Sequence, residues 1–257
     1  MSAALLLAVP FELAIGLSLG LVGGGGSILA LPVLVYVLGE PVRTATTESL
    51  LIVGATALLA CVDHARAGRV RWRTAAAFAI ASATGSLAGT ALNRLASPQS
   101  ILFGFALLLL IAAAAVIRGR GEPRRPELQP RGRSLWLRIV PIGLTTGVLT
   151  GFFGVGGGFA IVPALVLLLG LPLSAAVGTS LVVIAVTSAT ALAAHLSTGA
   201  INWTTGITFI TVALAGAITG SRAGARISQQ RLAQAFGTVV LAVAVFLTAT
   251  SVHALIS

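Results

Sequence analysis

The sequence predicts an all-α protein: a polytopic transmembrane helical bundle of two inverted repeats, each with a glycine-broken segment and three spanning helices. The first observation is composition, since 57% of the 257 residues are hydrophobic and 9% are charged, whereas a soluble domain carries about 25% charged residues. The second is a series of apolar stretches, and the third is an internal duplication. So few charges cannot coat a globule, which excludes a soluble enzyme. All 16 basic residues are Arg and cluster in short loops, as in membrane proteins, so no nucleic-acid partner is expected.

Most of the apolar stretches have the length of one membrane crossing, which takes about 20 helical residues. The first and the fifth are too long for one crossing, and glycines interrupt each of them near its middle, at residues 23–26 and 154–158. They are therefore expected to form re-entrant pairs of short helices or full hairpins. In order, the stretches are 4–38, 44–63, 74–93, 99–117, 136–169, 174–197, 204–221 and 231–256.

An internal duplication appears when each residue is compared with the one 131 positions later. A fixed offset of this kind indicates two copies of one structural unit. The copies are residues 1–117 and 136–257, joined by a basic linker at 118–135 that is rich in Pro, Gly and Arg. Shared residues include Gly16/Gly147, Gly20/Gly151, Gly23/Gly154, Pro32/Pro163, Pro41/Pro172, Ser49/Ser180, His64/His195, Trp72/Trp203, Gly85/Gly216 and Gly89/Gly220.

The distribution of Arg predicts that the two copies face opposite ways. Loop 64–73 holds four Arg and its counterpart 195–204 holds none, whereas loop 222–231 holds three and its counterpart 91–100 holds one. Basic loops mark the cytoplasmic side, so the linker and the two basic loops are expected in the cytoplasm, with both termini outside. The two glycine-broken segments then enter from opposite faces, as in many transporters. The alternative, eight simple spans in parallel repeats, leaves the last basic loop outside.

The glycine runs are the candidate binding site. Unwound backbone inside a membrane is tolerated only within protein or beside a water-filled cavity, and a helix beginning after each run would direct unpaired N–H groups towards an anion. The alternative is that these glycines only allow helices to cross closely, which is our expectation for the Gly-x-x-x-Gly pairs. The candidate residues are Gly23, Gly24, Gly25, Gly26 and Ser27 in the first copy and Gly154, Gly156, Gly157 and Gly158 in the second.

A polar patch follows each glycine run. Its hydroxyl groups could donate to an oxyanion, or they could cap the next helix; they belong to Thr46, Thr47, Ser49, Thr179 and Ser180. Glu48 stands where the second copy has Thr179. An acid within a bundle is a functional hypothesis, here as a proton-coupling group, although pairing with Arg43 near the interface is the alternative.

Other polar residues have simpler explanations. His64 and His195 lie at helix ends, where a histidine complements the helix dipole, and Glu12 and Arg94 are expected to extend from span ends towards the interface. No metal-ligand spacing, catalytic nucleophile motif or phosphate loop is present. No enzyme activity, metal or cofactor is therefore expected.

The two half-motifs, GLVGGGGSILALPVLVYVLGEPVRTATTESL at 20–50 and GFFGVGGGFAIVPALVLLLGLPLSAAVGTSL at 151–181, resemble the sulfite exporter TauE/SafE family of bacterial membrane transporters. The second copy keeps the family's glycine run, Pro163 and Gly-Thr-Ser-Leu. The first departs from it at Ser27 and at Thr47-Glu48-Ser49. The resemblance implies a multi-pass inner-membrane transporter, an exporter of small sulfur-containing anions such as sulfite or organosulfonates.

We therefore expect an alternating-access transporter of a small anionic solute, in contact with membrane lipids, with a homo-oligomer left open. The alternative is a passive anion channel that uses the same cavity. A membrane assembly or receptor protein is disfavoured because no loop exceeds the linker in length.

Overall fold

A computed structural model describes residues 3–24, 26–118, 133–196 and 203–224, together with residues 238 and 242. Most of the linker and most of the apolar stretch 231–256 lie outside these residues. The helices are α1 (Ala3–Val22), α2 (Gly26–Pro32), α3 (Val42–Arg66), α4 (Trp72–Leu95), α5 (Pro98–Arg118), α6 (Arg133–Phe153), α7 (Gly158–Pro163), α8 (Leu173–His195) and α9 (Trp203–Gly224). The π-helical turns Val33–Val37 and Ala164–Leu168 continue α2 and α7.

The predicted all-helical membrane bundle is confirmed. Within the described ranges every regular element is a helix. Five of these helices are long and apolar enough to cross a membrane, and shorter apolar helices lie at Val9–Leu21, Gly26–Val37 and Pro98–Ile111.

Each long apolar stretch is divided at its glycines into a long helix and a short one, α1 with α2 and α6 with α7. Gly23 and Gly154 turn the chain with φ of +74° and +66°, a conformation that glycine adopts without the steric penalty of other residues. The elements of the second half repeat those of the first at the offset of 131 residues, so that Trp72 begins α4 and Trp203 begins α9.

The halves pack against each other reciprocally: α1 lies along α9, α6 lies along α4, and α3 contacts α8 between them. The Gly-x-x-x-Gly pairs make these contacts close. A Cβ atom at Gly16 or Gly20 would overlap the backbone of α9, and one at Gly147 or Gly151 would overlap that of α4. The expected packing role of these glycines is confirmed, since small residues let helix backbones approach.

The equivalent helices α3 and α8 run antiparallel. At one end, the Arg71 N–H after α3 donates to the Thr179 hydroxyl near the start of α8, over 3.1 Å. At the other end, Arg43 near the start of α3 donates to the Arg94 carbonyl, and Arg94 donates to the Ala194 carbonyl at the end of α8. We call these the His64 end and the His195 end of the bundle.

Candidate functional site

The two glycine runs meet at the middle of the bundle, beside α3 and α8. Gly24 and Gly158 lie so close that a Cβ atom on Gly24 would overlap the Gly158 carbonyl group. A Cβ atom on Gly156 would overlap Val53 of α3 and lie 3.3 Å from the Ser188 hydroxyl of α8. We call this contact between residues 23–27 and 154–158 the glycine crossing. Its described residues are buried, and Gly25 lies outside the described residues.

Two serine hydroxyls hold the glycine crossing in a reciprocal manner. Ser180 donates to the Gly23 carbonyl over 3.2 Å and to Val177 over 2.8 Å. Ser49, its counterpart in the first copy, donates to the Gly154 carbonyl. The structure thus brings these two predicted residues to the glycine runs, where each hydroxyl binds backbone of the other half.

The three threonines of the predicted site lie differently. Thr46 and Thr47 donate to carbonyls of their own helix, at Val42 and Arg43, while the Thr46 methyl group packs against Gly154. Thr179 accepts the Arg71 N–H at the His64 end. All three are buried.

The interpretation of these hydroxyls as helix caps is wrong. α3 and α8 begin one residue after Pro41 and Pro172, and neither helix has a side-chain cap. Proline suits the start of a helix because it has no N–H to satisfy. The hydroxyls therefore lie inside the helices, where those of Ser49, Thr179 and Ser180 contact the other half.

The backbone of the second glycine run retains N–H groups that no helix uses. Ala160 and Ile161 donate to the Gly157 carbonyl, and these are the first backbone bonds of α7. The N–H groups of Gly157 and Gly158 precede them, and the first N–H groups of any helix lack intrahelical acceptors. Ser27, in the first run, donates its hydroxyl to the Gly24 carbonyl over 2.7 Å.

Two acidic residues are buried within the bundle. Glu48 has no exposed surface, while Arg43, its alternative partner, directs a guanidinium nitrogen at the Arg94 carbonyl. Glu12 was expected to extend towards the interface, and this expectation is wrong. It is completely buried, and neither carboxyl oxygen has a hydrogen-bond partner among the described residues. Glu12 precedes by one turn Gly16, whose Cβ would overlap the backbone of α9.

The His195 end is closed by hydrogen bonds. The His195 ring bonds the Gly151 carbonyl over 3.0 Å, and Asn93 donates to the Phe152 carbonyl over 2.6 Å. Both acceptors lie at the end of α6, directly before the glycine run. Arg94 adds the bond to Ala194 over 2.8 Å.

The His64 end differs because a cavity lies beside its histidine. His64 is 4% exposed, and the Gly20 carbonyl lies beside its ring, although neither ring nitrogen meets hydrogen-bond geometry with any described group. A cavity of about 680 Å³ borders this histidine and also Asp63, Arg69, Ser221 and Arg222. Arg69 of one basic loop and Arg222 at the start of the other thus lie at the same end of the bundle.

Sequence reasoning missed two residues near the site. The Ser188 hydroxyl is buried next to Gly156 and Gly54 without a hydrogen-bond partner among described groups. Asn93 closes the His195 end. Neither has an equivalent polar residue in the other copy, where Ala57 and Gly224 stand, so the duplication did not reveal them.

Short helices that are broken at glycines and meet inside a helical bundle are typical of secondary transporters. The fold and the site thus define a polytopic membrane transporter. The chain belongs to the sulfite exporter TauE/SafE family, whose family model matches residues 8–247.

Similar proteins support this membership. The chain is 34% identical over 236 residues to a "Probable membrane transporter protein" of Xylella fastidiosa (strain Temecula1), with 90% of each chain covered. It is 27% identical to the "Probable membrane transporter protein YunE" of Bacillus subtilis (strain 168), which covers 82% of this chain and 83% of the relative. A third relative, "Probable membrane transporter protein MJ0441" of Methanocaldococcus jannaschii, is 25% identical with 88% of each chain covered. No solved structure matches the chain.

Proposed function

We propose that this membrane transporter exports small sulfur-containing oxyanions, such as sulfite or organosulfonates, across the cytoplasmic membrane by alternating access. One observation carries the proposal: the two glycine runs cross at the centre of the bundle while its two ends differ. His195 is bonded to Gly151 at one end, whereas the equivalent His64 borders a cavity at the other.

The substrate would bind at the glycine crossing. The amides of Gly24, Gly26, Ser27 and residues 155–158 are the proposed donors, because N–H groups before a first helical turn suit an anion. The predicted donors Gly23 and Gly154 are excluded, because their N–H groups already donate to the Leu19 and Thr150 carbonyls. In this state the single O–H of Ser49 is donated to the Gly154 carbonyl, and that of Ser180 is shared between the carbonyls of Gly23 and Val177. A bound oxyanion would compete for these hydroxyl groups, and their release would loosen the crossing.

Inverted repeats explain how such a protein could open to either side. The antiparallel course of α3 and α8 supports this arrangement, since copies related by an axis in the membrane plane must reverse direction. The Arg-rich loops support placing the His64 end in the cytoplasm. Exchange of the His195–Gly151 bond for a His64–Gly20 bond would then convert one open state into the other.

Proton coupling is proposed for Glu48. It is fully buried and replaces the hydroxyl of Thr179, and acids within membrane bundles are commonly part of proton pathways. Glu48→Gln keeps the shape and removes the titrating group, while Glu48→Thr introduces the residue of the second copy. We expect both variants to lose any dependence of transport on a proton gradient.

The test is flux through the purified protein in liposomes. Labelled sulfite, methanesulfonate, sulfate and acetate are followed with and without an imposed proton gradient. We expect flux of sulfite and methanesulfonate, and we expect unlabelled substrate inside the liposomes to accelerate their uptake. The proton gradient should change the rate of flux in the wild type and leave it unchanged in Glu48→Gln. Absence of flux for all four solutes contradicts transport of small anions, and flux without trans-acceleration indicates a channel instead.

A further inference from the structure

The cavity at the His64 end is lined by side chains that the glycine crossing does not use. Its residues come from the end of α3, the loop after it and the end of α9. A volume of about 680 Å³ lies within the range of ligand sites, which is roughly 300–1,000 Å³. The cavity therefore has room for a small solute and its water.

His64 is the second, independent sign of a ligand. The residue is 4% exposed, and neither ring nitrogen meets hydrogen-bond geometry with a described residue, the Gly20 carbonyl beside the ring included. A buried polar group without a partner is unfavourable. Since the ring borders the cavity, a ligand there could satisfy it.

The charges of the lining select the type of ligand. Arg69 and Arg222 supply two guanidinium groups, and Asp63 supplies one carboxylate, which the Ser221 hydroxyl contacts at 3.3 Å. Guanidinium groups present several N–H donors to an oxyanion. The formal sum of one positive charge matches a monoanion better than a dianion.

These charges are absent from the other copy. The counterparts of Asp63, Arg69 and Arg222 at the offset of 131 are Ala194, Ala200 and Ala91. The cavity chemistry is therefore not part of the duplicated design and belongs to one face of the protein.

We propose that this cavity is a binding site for a small monovalent oxyanion, a sulfonate or hydrogen sulfite, separate from the glycine crossing. Arg69 and Arg222 hold the anion, and the His64 ring completes its hydrogen bonds. The sulfur chemistry of the ligand rests on the proposed function. The site collects the solute at the cytoplasmic mouth before it reaches the crossing.

The test is methanesulfonate binding to the full-length protein in nanodiscs of neutral phosphatidylcholine, measured by calorimetry. Removing one charge-assisted contact is expected to weaken binding about tenfold in Arg69→Gln and in Arg222→Gln. Arg73→Gln is the matched control, because Arg73 is exposed, lies close to Arg69 in the sequence and does not line the cavity. This variant should bind methanesulfonate like the wild type. Wild-type affinity in both cavity variants overturns the proposal.

Gly24→Ala separates this site from the crossing. The variant is expected to lose transport and keep methanesulfonate binding, because no residue of the crossing lines the cavity. If Gly24→Ala abolishes binding while Arg222→Gln preserves it, the anion binds at the crossing and the proposal is wrong. If no solute is transported but cavity binding persists and depends on both Arg residues, the cavity site stands and the proposed function fails.

Charge preference gives a further outcome. We expect the wild type to bind methanesulfonate more tightly than sulfate, and Asp63→Asn to shift that ratio towards sulfate about tenfold. An unchanged ratio contradicts the charge assignment. A phosphodiester of an anionic lipid has the same charge, so the binding is repeated in nanodiscs with phosphatidylglycerol. Retained binding supports a free solute, and loss of binding assigns the cavity to a lipid headgroup and overturns the proposal.

Discussion

The Ser180 hydroxyl donates to the carbonyl oxygen of Gly23, 3.2 Å away in the other half of the chain, and shares its hydrogen with the Val177 carbonyl at 2.8 Å. Ser49 donates to Gly154 in the equivalent place. Gly23 and Gly154 are the residues at which the two glycine runs turn. In each half, a serine hydroxyl thus donates a hydrogen bond to the unwound backbone of the other half.

Ser180→Ala should weaken this contact measurably. A buried hydrogen bond contributes about 1 kcal/mol to the free energy of unfolding, so thermal unfolding in detergent should begin at a lower temperature. Ser174→Ala, an exposed position on the same helix, is the control. Equal unfolding temperatures for the two variants would show that the Ser180 bond does not stabilise the crossing.

Gly154→Ala and Gly170→Ala form a matched pair. Both glycines have positive φ, +66° and +65°, so each alanine should cost about 1–2 kcal/mol in backbone strain. Only at Gly154 would the added Cβ also overlap Thr46, whereas nothing lies within 4 Å at Gly170. Overpacking adds about 1–3 kcal/mol, and unfolding measurements that give equal losses for both variants contradict the described contact.

Much of this architecture is readable in the sequence. The offset of 131 predicts the halves, the glycine runs predict where α1 and α6 end, and the Arg positions predict that both basic loops share one end. The difference between the His64 end and the His195 end cannot be predicted from the sequence, because the two histidines occupy equivalent positions in the two copies. Neighbours that differ between the copies contribute to the difference, such as Asn93, whose counterpart is Gly224.

The sequence also misleads about polar residues. Hydroxyls after Pro41 and Pro172 look like helix caps because Ser and Thr are common there, but the helices begin directly after the prolines. Glu12 looks interfacial because it is a lone charge near the end of an apolar stretch. Only the three-dimensional packing shows that it is buried.

Glu12→Met should stabilise the protein. A carboxyl group that is buried without a hydrogen-bond partner costs about 1–3 kcal/mol, and methionine has a similar length without that cost. The melting temperature in detergent should therefore rise, while Gln99→Met at an exposed position should leave it unchanged. A lower melting temperature for Glu12→Met would show that the carboxyl group makes a stabilising contact.

His195→Ala should open the closed end. Loss of the bond to Gly151, worth about 1 kcal/mol, shifts a two-state population about fivefold. In a Cys61→Ala background, a cysteine at the buried Thr90 position reports this opening through its rate of labelling by a membrane-impermeant maleimide. His64→Ala removes a ring without such a bond and should not raise the rate. Equal rates for both histidine variants would contradict the closed end.

The most direct test asks whether solute passes through the glycine crossing. It compares the exchange of labelled sulfite in liposomes by two variants, Gly24→Ala and Gly206→Ala. The Cβ of Gly24→Ala overlaps the Gly158 carbonyl, whereas at Gly206 the nearest atom is Leu51 Cδ2 at 3.4 Å. We expect the wild type and Gly206→Ala to exchange sulfite at similar rates and Gly24→Ala to exchange none while remaining folded. Wild-type exchange by Gly24→Ala would contradict a transport route through the glycine crossing.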